Sequence, residues 1–335
     1  MTDLTDTNKF GAEPLGFSEA FDAVQDEIKK KLLSSPPVIR TLTKHLAKTR
    51  GKYIRAYSLL TSATREDGTV HPDAVKLAAA IETLHLATLV HDDVIDDAKT
   101  RRGAETIQIK FGKRPAVICG DYLFCLALQF ASEVSSESQK NEGDVKSLLP
   151  DYMMRICLGE LRQNMNNRNL ELTTAQYYQI ISGKTAALFE ASFFGGFILS
   201  GEGRERGELY KRLGHHIGMI FQLTDDCADY ELNYEQTKKP VKSDFEQGVI
   251  TLPLIYAFEA DKNLRETTKG GMSASDIVKA VRDAGGLAFA HSVVKKHYKK
   301  AMRIIDSLDV CEEKRSRMTE ILRKSTNGIV IGKGI

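Results

Sequence analysis

Residues 82–97 read ETLHLATLVHDDVIDD, an apolar segment that ends in closely spaced aspartates. Counting from Leu77, apolar side chains recur at Ile81 and Leu84, which is the spacing of a buried helix face. Residues 213–223 repeat this spacing, and no run alternates β-branched and polar residues between turn signals as a strand would. The sequence therefore predicts an all-α protein.

The segments between the predicted helices are short. Polar residues at 135–146 and glycine-rich residues at 201–208 predict surface connections rather than an interdomain linker. We therefore predict a single helical domain over residues 16–335, preceded by a flexible N-terminal tail over residues 1–15.

Charge and cysteine spacing limit the compartment and the partners. The 335 residues carry 47 basic and 45 acidic side chains, a net charge of +2, which does not suggest a nucleic-acid partner. No apolar run reaches the ~18 residues of a membrane span, and the polar N-terminus does not resemble a secretory signal. The five cysteines lack paired short spacings, which fits a reducing compartment. We predict a cytoplasmic protein without a transmembrane segment.

A second acidic cluster repeats the spacing of the first. Residues 225–229 (DDCAD) match residues 92–96 (DDVID) in the positions of their aspartates. The first and fifth positions lie about 40° apart on a helix, so each cluster directs carboxylates from one helical side. Such charges in apolar helices are unfavourable without cations, and Mg²⁺ suits carboxylates combined with water and phosphate oxygens. Two solvated acidic helix ends are the alternative interpretation.

Basic side chains stand near both clusters along the chain. A Lys and an Arg three apart in residues 51–55 would share a helical face, and further basic residues follow each cluster. Such groups can bind diphosphate oxygens as point charges or forked donors, although a single basic pair is more often a solvated surface feature. The candidates are Lys52, Arg55, Arg101, Arg102, Lys184, Lys239 and Lys242.

These motifs have ordered companions, and together they resemble the trans-isoprenyl diphosphate synthases, also called the polyprenyl synthetase family. The resemblance runs through GKYIR, ETLHLATLVHDDVIDD, RRG, GDYLF, GELRQ, GKT, FQLTDD and TLP. It implies a single-domain helical bundle of the isoprenoid synthase type around a deep central cavity, usually dimeric. It also implies a transferase that condenses isopentenyl diphosphate with an allylic diphosphate.

The resemblance further implies roles for individual residues. About three Mg²⁺ ions per active site would be held against the allylic diphosphate, by Asp92, Asp93, Asp96, Asp225, Asp226 and Asp229. The allylic diphosphate itself would be bound by Arg101, Lys184 and Lys239, and isopentenyl diphosphate by Lys52, Arg55, His85 and Arg102. The developing cation would be faced by Thr185, Gln222 and Gln163. The residues expected to act in the chemical step are Lys184, Thr185, Gln222, Asp92 and Asp225. His85 has a simpler alternative as a hydrogen-bonded core histidine.

Product length depends on what lies below the first cluster. In the family, aromatic residues four and five places before that cluster stop growth at short products, and here those places hold Thr88 and Ala87. Thr88 lies about one helical turn below Asp92, so a growing chain would pass it. We predict a hexaprenyl, heptaprenyl or octaprenyl product, about C30–C40; a short-chain farnesyl or geranylgeranyl synthase is the alternative.

Some positions depart from the family pattern. Lys238 and Lys242 stand where the family commonly has Gly, and Val249 where it often has Lys. The last departure removes one diphosphate contact and leaves open a two-component heptaprenyl synthase, in which this catalytic subunit needs a small regulatory partner. A homodimer is the simpler expectation.

Three other classes of protein remain as alternatives. A terpene cyclase would share the ionisation step but would not need a second set of basic residues, and the chain has no Trp for an aromatic cation cage. A non-catalytic helical subunit would be free to lose the aspartates that this chain keeps. A helical protein with acidic helix ends would not explain the ordered basic residues.

Overall fold

The computed structural model describes residues 13–49, 51–135, 145–231 and 244–326. Within these ranges the chain is almost entirely helical, so the predicted all-α class is confirmed. The helices are α1 (Phe17–Leu33), α2 (Arg40–Leu46), α3 (Ile54–Ala63), α4 (Pro72–Ile95), α5 (Ile107–Phe111), α6 (Lys113–Ser132), α7 (Val145–Met165), α8 (Thr174–Ile181), α9 (Ala187–Ser200), α10 (Gly207–Glu231), α11 (Asp244–Gln247), α12 (Leu252–Ala260), α13 (Lys262–Lys269), α14 (Ala274–Asp283), α15 (Gly286–Ser307) and α16 (Glu312–Ser325). A π-helical turn (Ser182–Ala186) joins α8 to α9, and a 3₁₀ turn (Arg204–Arg206) precedes α10.

The chain divides into two compact units. The first comprises Met1–Lys146 and Gly195–Arg204, and the second comprises Ser147–Phe194 and Glu205–Ile335. One boundary falls inside α9, where no linker composition marks it. The single domain predicted over residues 16–335 stays a prediction.

In the first unit α4 is the central helix. It begins where the His71 side chain accepts a hydrogen bond from the Asp73 N–H, with Pro72 in the first helical turn, an arrangement that suits a helix start. Ala78 and Ile81 have no exposed surface, and a helix that is apolar on every side is a core helix. It packs on α1 and α3, and most extensively on α6.

Two helices of the first unit are long and apolar enough, by length and composition alone, to cross a membrane. They are α4 and α6, with 67% and 44% of their apolar windows buried inside the protein. The core helix of a protein can have the same length and composition, and the burial of most of the apolar part of α4 matches a core helix.

Short strands appear where none was predicted. β1 (Leu15–Gly16) pairs antiparallel with β2 (Thr69–Val70), and β3 (Thr100–Arg101) pairs with β4 (Ala104–Glu105). Each is shorter than the runs of about four residues that a sequence pattern can detect. Residues 1–12 of the predicted tail lie outside the described residues.

In the second unit α10 is the central helix, packed against α12, α15 and α16. Two glycines allow neighbouring backbones to approach the π-helical turn. A Cβ at Gly159 of α7 would lie 2.3 Å from the Lys184 nitrogen, and one at Gly218 of α10 would lie 2.5 Å from the Ala186 Cα. The turn is thus held between α7 and α10 by backbone contacts that a side chain at either glycine would prevent.

Candidate active site

Both acidic clusters lie at the C-terminal ends of long helices. Asp92 and Asp93 are in the last turn of α4, whose cap is Asp96, and the second cluster occupies the last turns of α10. Helix carbonyl groups concentrate partial negative charge at this end. Carboxylates placed there add to that charge, which favours binding of a cation.

In the first cluster the three carboxylates differ in exposure. Asp96 is exposed, Asp92 is half-buried and Asp93 is buried. The Arg101 Nε donates to Asp93 Oδ1 at 2.7 Å, and the Gln108 amide donates to the Asp93 carbonyl oxygen at 2.5 Å. Burial raises the pKa of Asp93 and the Arg101 charge opposes that rise. Arg101, predicted to bind the allylic diphosphate, thus already compensates an aspartate.

In the second cluster the middle aspartate is again the buried one. Asp225 is exposed and Asp229 is half-buried, whereas Asp226 is 4% exposed. Tyr177 and Gln222 donate to its two oxygens at 2.5 and 2.6 Å. Burial, with the nearby charges of Asp225 and Asp229, raises the pKa of Asp226 to about 7 despite these hydrogen bonds.

Asp244 is an acidic member of this site that sequence reasoning missed. Its N–H donates to Asp229 Oδ2 at 2.8 Å. Burial and the charges of Asp226, Asp229 and Asp225 raise the pKa of the Asp244 carboxyl to about 8, and Lys184 opposes the rise. No helical spacing relates Asp244 to the cluster, because a polar connection separates them along the chain. A cation bound among these crowded carboxyl groups would favour their ionised forms and lower their pKa values.

The π-helical turn presents two predicted catalytic residues. Lys184 Nζ lies 2.7 Å from Glu160 Oε2, and the Thr185 hydroxyl donates to Gln222 Oε1 at 2.6 Å. Turns of this type are frequent at functional sites. Glu160 belongs to the GELRQ segment and was not predicted as a site residue. Gln163, from the same segment, is half-buried.

These acidic groups suit Mg²⁺ as ligands that supply only part of its coordination. Among the residues that the structure describes, no three His, Cys, Asp or Glu side chains form a complete metal-binding group. Mg²⁺ is usually held by one or two carboxylates together with waters and substrate phosphates rather than by a protein cage. Accessible carboxylates at negatively polarised helix ends, such as Asp92 and Asp225, provide that kind of partial coordination.

The first unit also contains a pocket of about 630 Å³, lined in part by Gly51, His85 and Arg102. Burial is the main cause that holds the pKa of His85 well below its usual value. The nearby positive charges of Arg55, Arg102 and Arg101 lower it further. The histidine is therefore neutral near pH 7. It is half-buried at the pocket wall rather than enclosed in the core.

Backbone geometry brings Arg102 to this pocket. Arg102 and Gly103 connect β3 to β4 with positive φ values of 52° and 79°, as in a two-residue type I′ hairpin. A Cβ at Gly51 would lie 2.9 Å from Arg102 Nη1, so the missing side chain makes room for the guanidinium. The hairpin thereby brings the RRG segment against the GKYIR segment.

Arg55 lies buried beside this pocket. The Glu82 carboxylate accepts the backbone N–H groups of Arg55 and Ala56 at 3.0 and 2.9 Å. Burial lowers the pKa of the Arg55 guanidinium to about 10, although Glu82 opposes this, so Arg55 is charged at neutral pH. Lys52 is exposed. Lys239 and Lys242 lie outside the described residues.

The two predicted chain-length positions differ. Thr88 is half-buried, and its hydroxyl donates to the His85 carbonyl at 2.8 Å. Ala87 has no exposed surface. Only Thr88 could therefore accept a larger side chain without overpacking the core.

Comparison with known proteins agrees with this geometry. Residues 36–284 match the family described as polyprenyl synthetase. The chain is 32% identical over 307 residues to heptaprenyl diphosphate synthase component 2 of Geobacillus stearothermophilus, covering 88% of this chain and 92% of that protein. It is 30% identical over 315 residues to a short chain isoprenyl diphosphate synthase of Methanothermobacter thermautotrophicus, covering 91% and 95%. The crystal structure of heptaprenyl diphosphate synthase from Staphylococcus aureus aligns with a TM-score of 0.83 at 28% identity, covering 93% of this chain and 98% of that one.

The fold and these similarities define a prenyltransferase with the all-helical isoprenoid synthase architecture. The chain belongs to the polyprenyl synthetase family, whose members in general depend on Mg²⁺. The predictions of family, fold class and transferase activity are thereby confirmed.

Proposed function

We propose that this chain condenses isopentenyl diphosphate with an allylic diphosphate (geranyl, farnesyl or geranylgeranyl) to give an all-trans polyprenyl diphosphate of about C30–C40. The observation that carries the proposal is the group of Arg55, Arg101 and Arg102 in the first unit, whose charges all lower the pKa of His85. A group of three guanidinium charges suits a second diphosphate. A terpene cyclase, which ionises one diphosphate, would not need it.

The aspartates of the two clusters divide by their burial. Asp92, Asp96, Asp225 and Asp229 have exposed or half-buried carboxylates suited to about three Mg²⁺ ions. Asp93 and Asp226 are buried and hydrogen-bonded within the chain, so we assign them to holding their neighbours in place.

The chemistry then follows from charge. Bound Mg²⁺ would stabilise negative charge on the departing pyrophosphate as the allylic C–O bond breaks. Lys184 adds a positive charge that stabilises the departing pyrophosphate. Thr185 and Gln222 direct oxygen atoms at the allylic cation. The isopentenyl double bond attacks this cation and forms the new C–C bond. A proton is lost from the adjacent carbon to the released pyrophosphate.

The direct experiment incubates the purified chain with farnesyl and isopentenyl diphosphates, with Mg²⁺ or with excess EDTA, and sizes the products by mass spectrometry. We expect Mg²⁺-dependent products of about six to eight isoprene units. A cyclised hydrocarbon and free pyrophosphate would contradict the proposal and favour the cyclase.

Thr88 tests product length. Thr88→Phe places an aromatic ring about one turn below Asp92, so we expect shorter products at similar substrate consumption. Thr88→Ser is the matched control and should keep the wild-type length. Unchanged length in Thr88→Phe would place the growing chain elsewhere.

For partners, we propose a cytoplasmic homodimer that uses α7. One face of this helix exposes Met154, Leu158, Leu161 and Met165 by 50–75%, in the 4-3-4 spacing of a helix-pairing seam. The relative from Geobacillus stearothermophilus is named as a component of a synthase, so a small regulatory subunit is the alternative occupant. Light scattering of the purified chain distinguishes them: a dimer supports the first, and an inactive monomer supports the second.

A further inference from the structure

Tyr177 is a buried tyrosine to which the proposed chemistry assigns no role. It lies in α8, whose first turn is fixed by a capping box between Thr173 and Gln176. Only 3% of the Tyr177 surface is exposed, yet its hydroxyl reaches α10 and donates to Asp226 Oδ2 at 2.5 Å. A buried hydroxyl needs a partner, and here the partner is an aspartate of the second acidic cluster.

The bond from Tyr177 is the first of three in a row. Gln222 Nε2 donates to the other oxygen of Asp226 at 2.6 Å, and the Thr185 hydroxyl donates to Gln222 Oε1 at 2.6 Å. Thr185 lies in the π-helical turn that directly follows α8. The row therefore begins and ends in one continuous segment and ties that segment to α10 at two points.

The two oxygens of Asp226 set the direction of these bonds. Both accept, one from Tyr177 and one from Gln222, so Gln222 turns its amide nitrogen towards Asp226 and its oxygen towards Thr185. The single hydroxyl proton of Thr185 is then used on Gln222. The oxygen atoms of both side chains can offer lone pairs only, and these stabilise positive charge.

From this geometry we propose that Tyr177 is a positioning residue: by holding Asp226, it fixes the amide orientation of Gln222 and keeps the Gln222 and Thr185 oxygens directed at the allylic cation. The inference rests on the proposed function, since it needs a cation beside these residues. It adds to that function a group that touches neither substrate nor metal.

The neighbouring residue provides a matched control. Tyr178 is on the same helix, half-buried, with its ring 5.7 Å from that of Tyr177. It lines a different cavity, shared with Arg155 and His215. Tyr177→Phe and Tyr178→Phe therefore remove the same atom from adjacent positions, of which only one belongs to the row.

The first measurement separates kcat from KM in both variants. Loss of a hydrogen bond to a buried carboxyl group, when it matters in the transition state, lowers the rate by about tenfold. We expect that decrease in kcat for Tyr177→Phe, with both KM values unchanged, and a change within about twofold for Tyr178→Phe. Equal kcat values in the two variants, with an active wild type, would overturn the inference. An inactive wild type would instead count against the proposed function.

A double-mutant cycle and a metal titration test the route of the effect. If Tyr177 acts through Asp226, adding Tyr177→Phe to Asp226→Asn should lower kcat no further, whereas multiplied losses would overturn the inference. Mn²⁺ binding, followed by electron paramagnetic resonance with a non-hydrolysable allylic diphosphate, should be the same in Tyr177→Phe as in the wild type. Loss of bound Mn²⁺ in that variant would place Tyr177 in the metal site and overturn the assigned role.

Discussion

The two acidic clusters share their aspartate spacing and their place at a helix C-terminus, yet the protein treats their middle aspartates differently. Asp93 forms an ion pair with Arg101. Asp226 accepts hydrogen bonds from the neutral side chains of Tyr177 and Gln222. The same motif is therefore compensated in charge in the first unit and only hydrogen-bonded in the second. Identical spacing determines where carboxylates point but not their charge balance.

The difference has an electrostatic consequence. The pKa of Asp226 is raised to about 7 and that of Asp244 to about 8. In the first cluster Arg101 opposes the effect of burial on Asp93. The buried carboxyl groups of the second cluster therefore keep protons near neutral pH, and a bound cation would favour their ionised forms instead.

The largest expected effect comes from the accessible aspartates, for which the clusters should behave alike. Asp92→Asn and Asp225→Asn each remove a charge proposed to hold metal, and we expect a loss of about 100-fold or more in kcat/KM. Asp97→Asn is the control in the first unit, since Asp97 pairs with Lys113 at 2.8 Å and tolerates Asn at its positive φ of 53°. Steady-state kinetics measures kcat/KM for all three variants. A loss of kcat/KM in only one of Asp92→Asn and Asp225→Asn would show that the two clusters do not share one role.

The next effect should distinguish the clusters through pH. Folded Asp226 and Asp244 keep protons up to about pH 7 and 8, whereas an unfolded Asp releases its proton near pH 4. Between those values the folded state binds more protons, so the metal-free protein should lose stability as pH rises, by about 2–4 kcal/mol. Urea unfolding at pH 5 and pH 8 measures this.

A variant isolates the contribution of one group. Asp226→Asn should reduce the loss of stability between pH 5 and pH 8, because Asn carries no charge to bury. A pH dependence identical to that of the wild type would show that Asp226 is not the group responsible.

The smallest expected effect concerns the ion pair of the first cluster. Arg101→Met leaves the buried Asp93 without its cation, and we expect a decrease of about 1–2 kcal/mol in the free energy of unfolding. The neighbouring variant Arg102→Met should leave stability close to wild type and raise the KM for isopentenyl diphosphate. An Arg101→Met protein as stable as Arg102→Met would mean that water replaces the cation.

The sequence predicted what depends on periodicity along a single helix. The apolar spacing around Leu84 gave the helical class, and the repeated aspartates gave the two clusters. These features need only a helix to be recognised. The positive-φ turn at Arg102 and the strands beside it were not predicted, because they are only two residues long.

The rest of the site depends on packing between helices. Glu160 meets Lys184 only because α7 approaches the π-helical turn at Gly159, and no sequence interval encodes that contact. Tyr177 and Asp244 reach Asp226 from other elements in the same way. Single-sequence reasoning therefore found the groups proposed to bind metal and missed Glu160, Tyr177 and Asp244, which contact the site from other elements.

The most direct test of this division is the number of metal ions bound. Purified wild type would be titrated with Mn²⁺ in the presence of a non-hydrolysable allylic diphosphate and followed by electron paramagnetic resonance, beside Asp92→Asn, Asp225→Asn and Asp226→Asn. We predict about three ions for the wild type, fewer for the first two variants, and the wild-type number for Asp226→Asn. No bound Mn²⁺ in the wild type, or a loss confined to Asp226→Asn, would contradict the roles assigned to the two clusters.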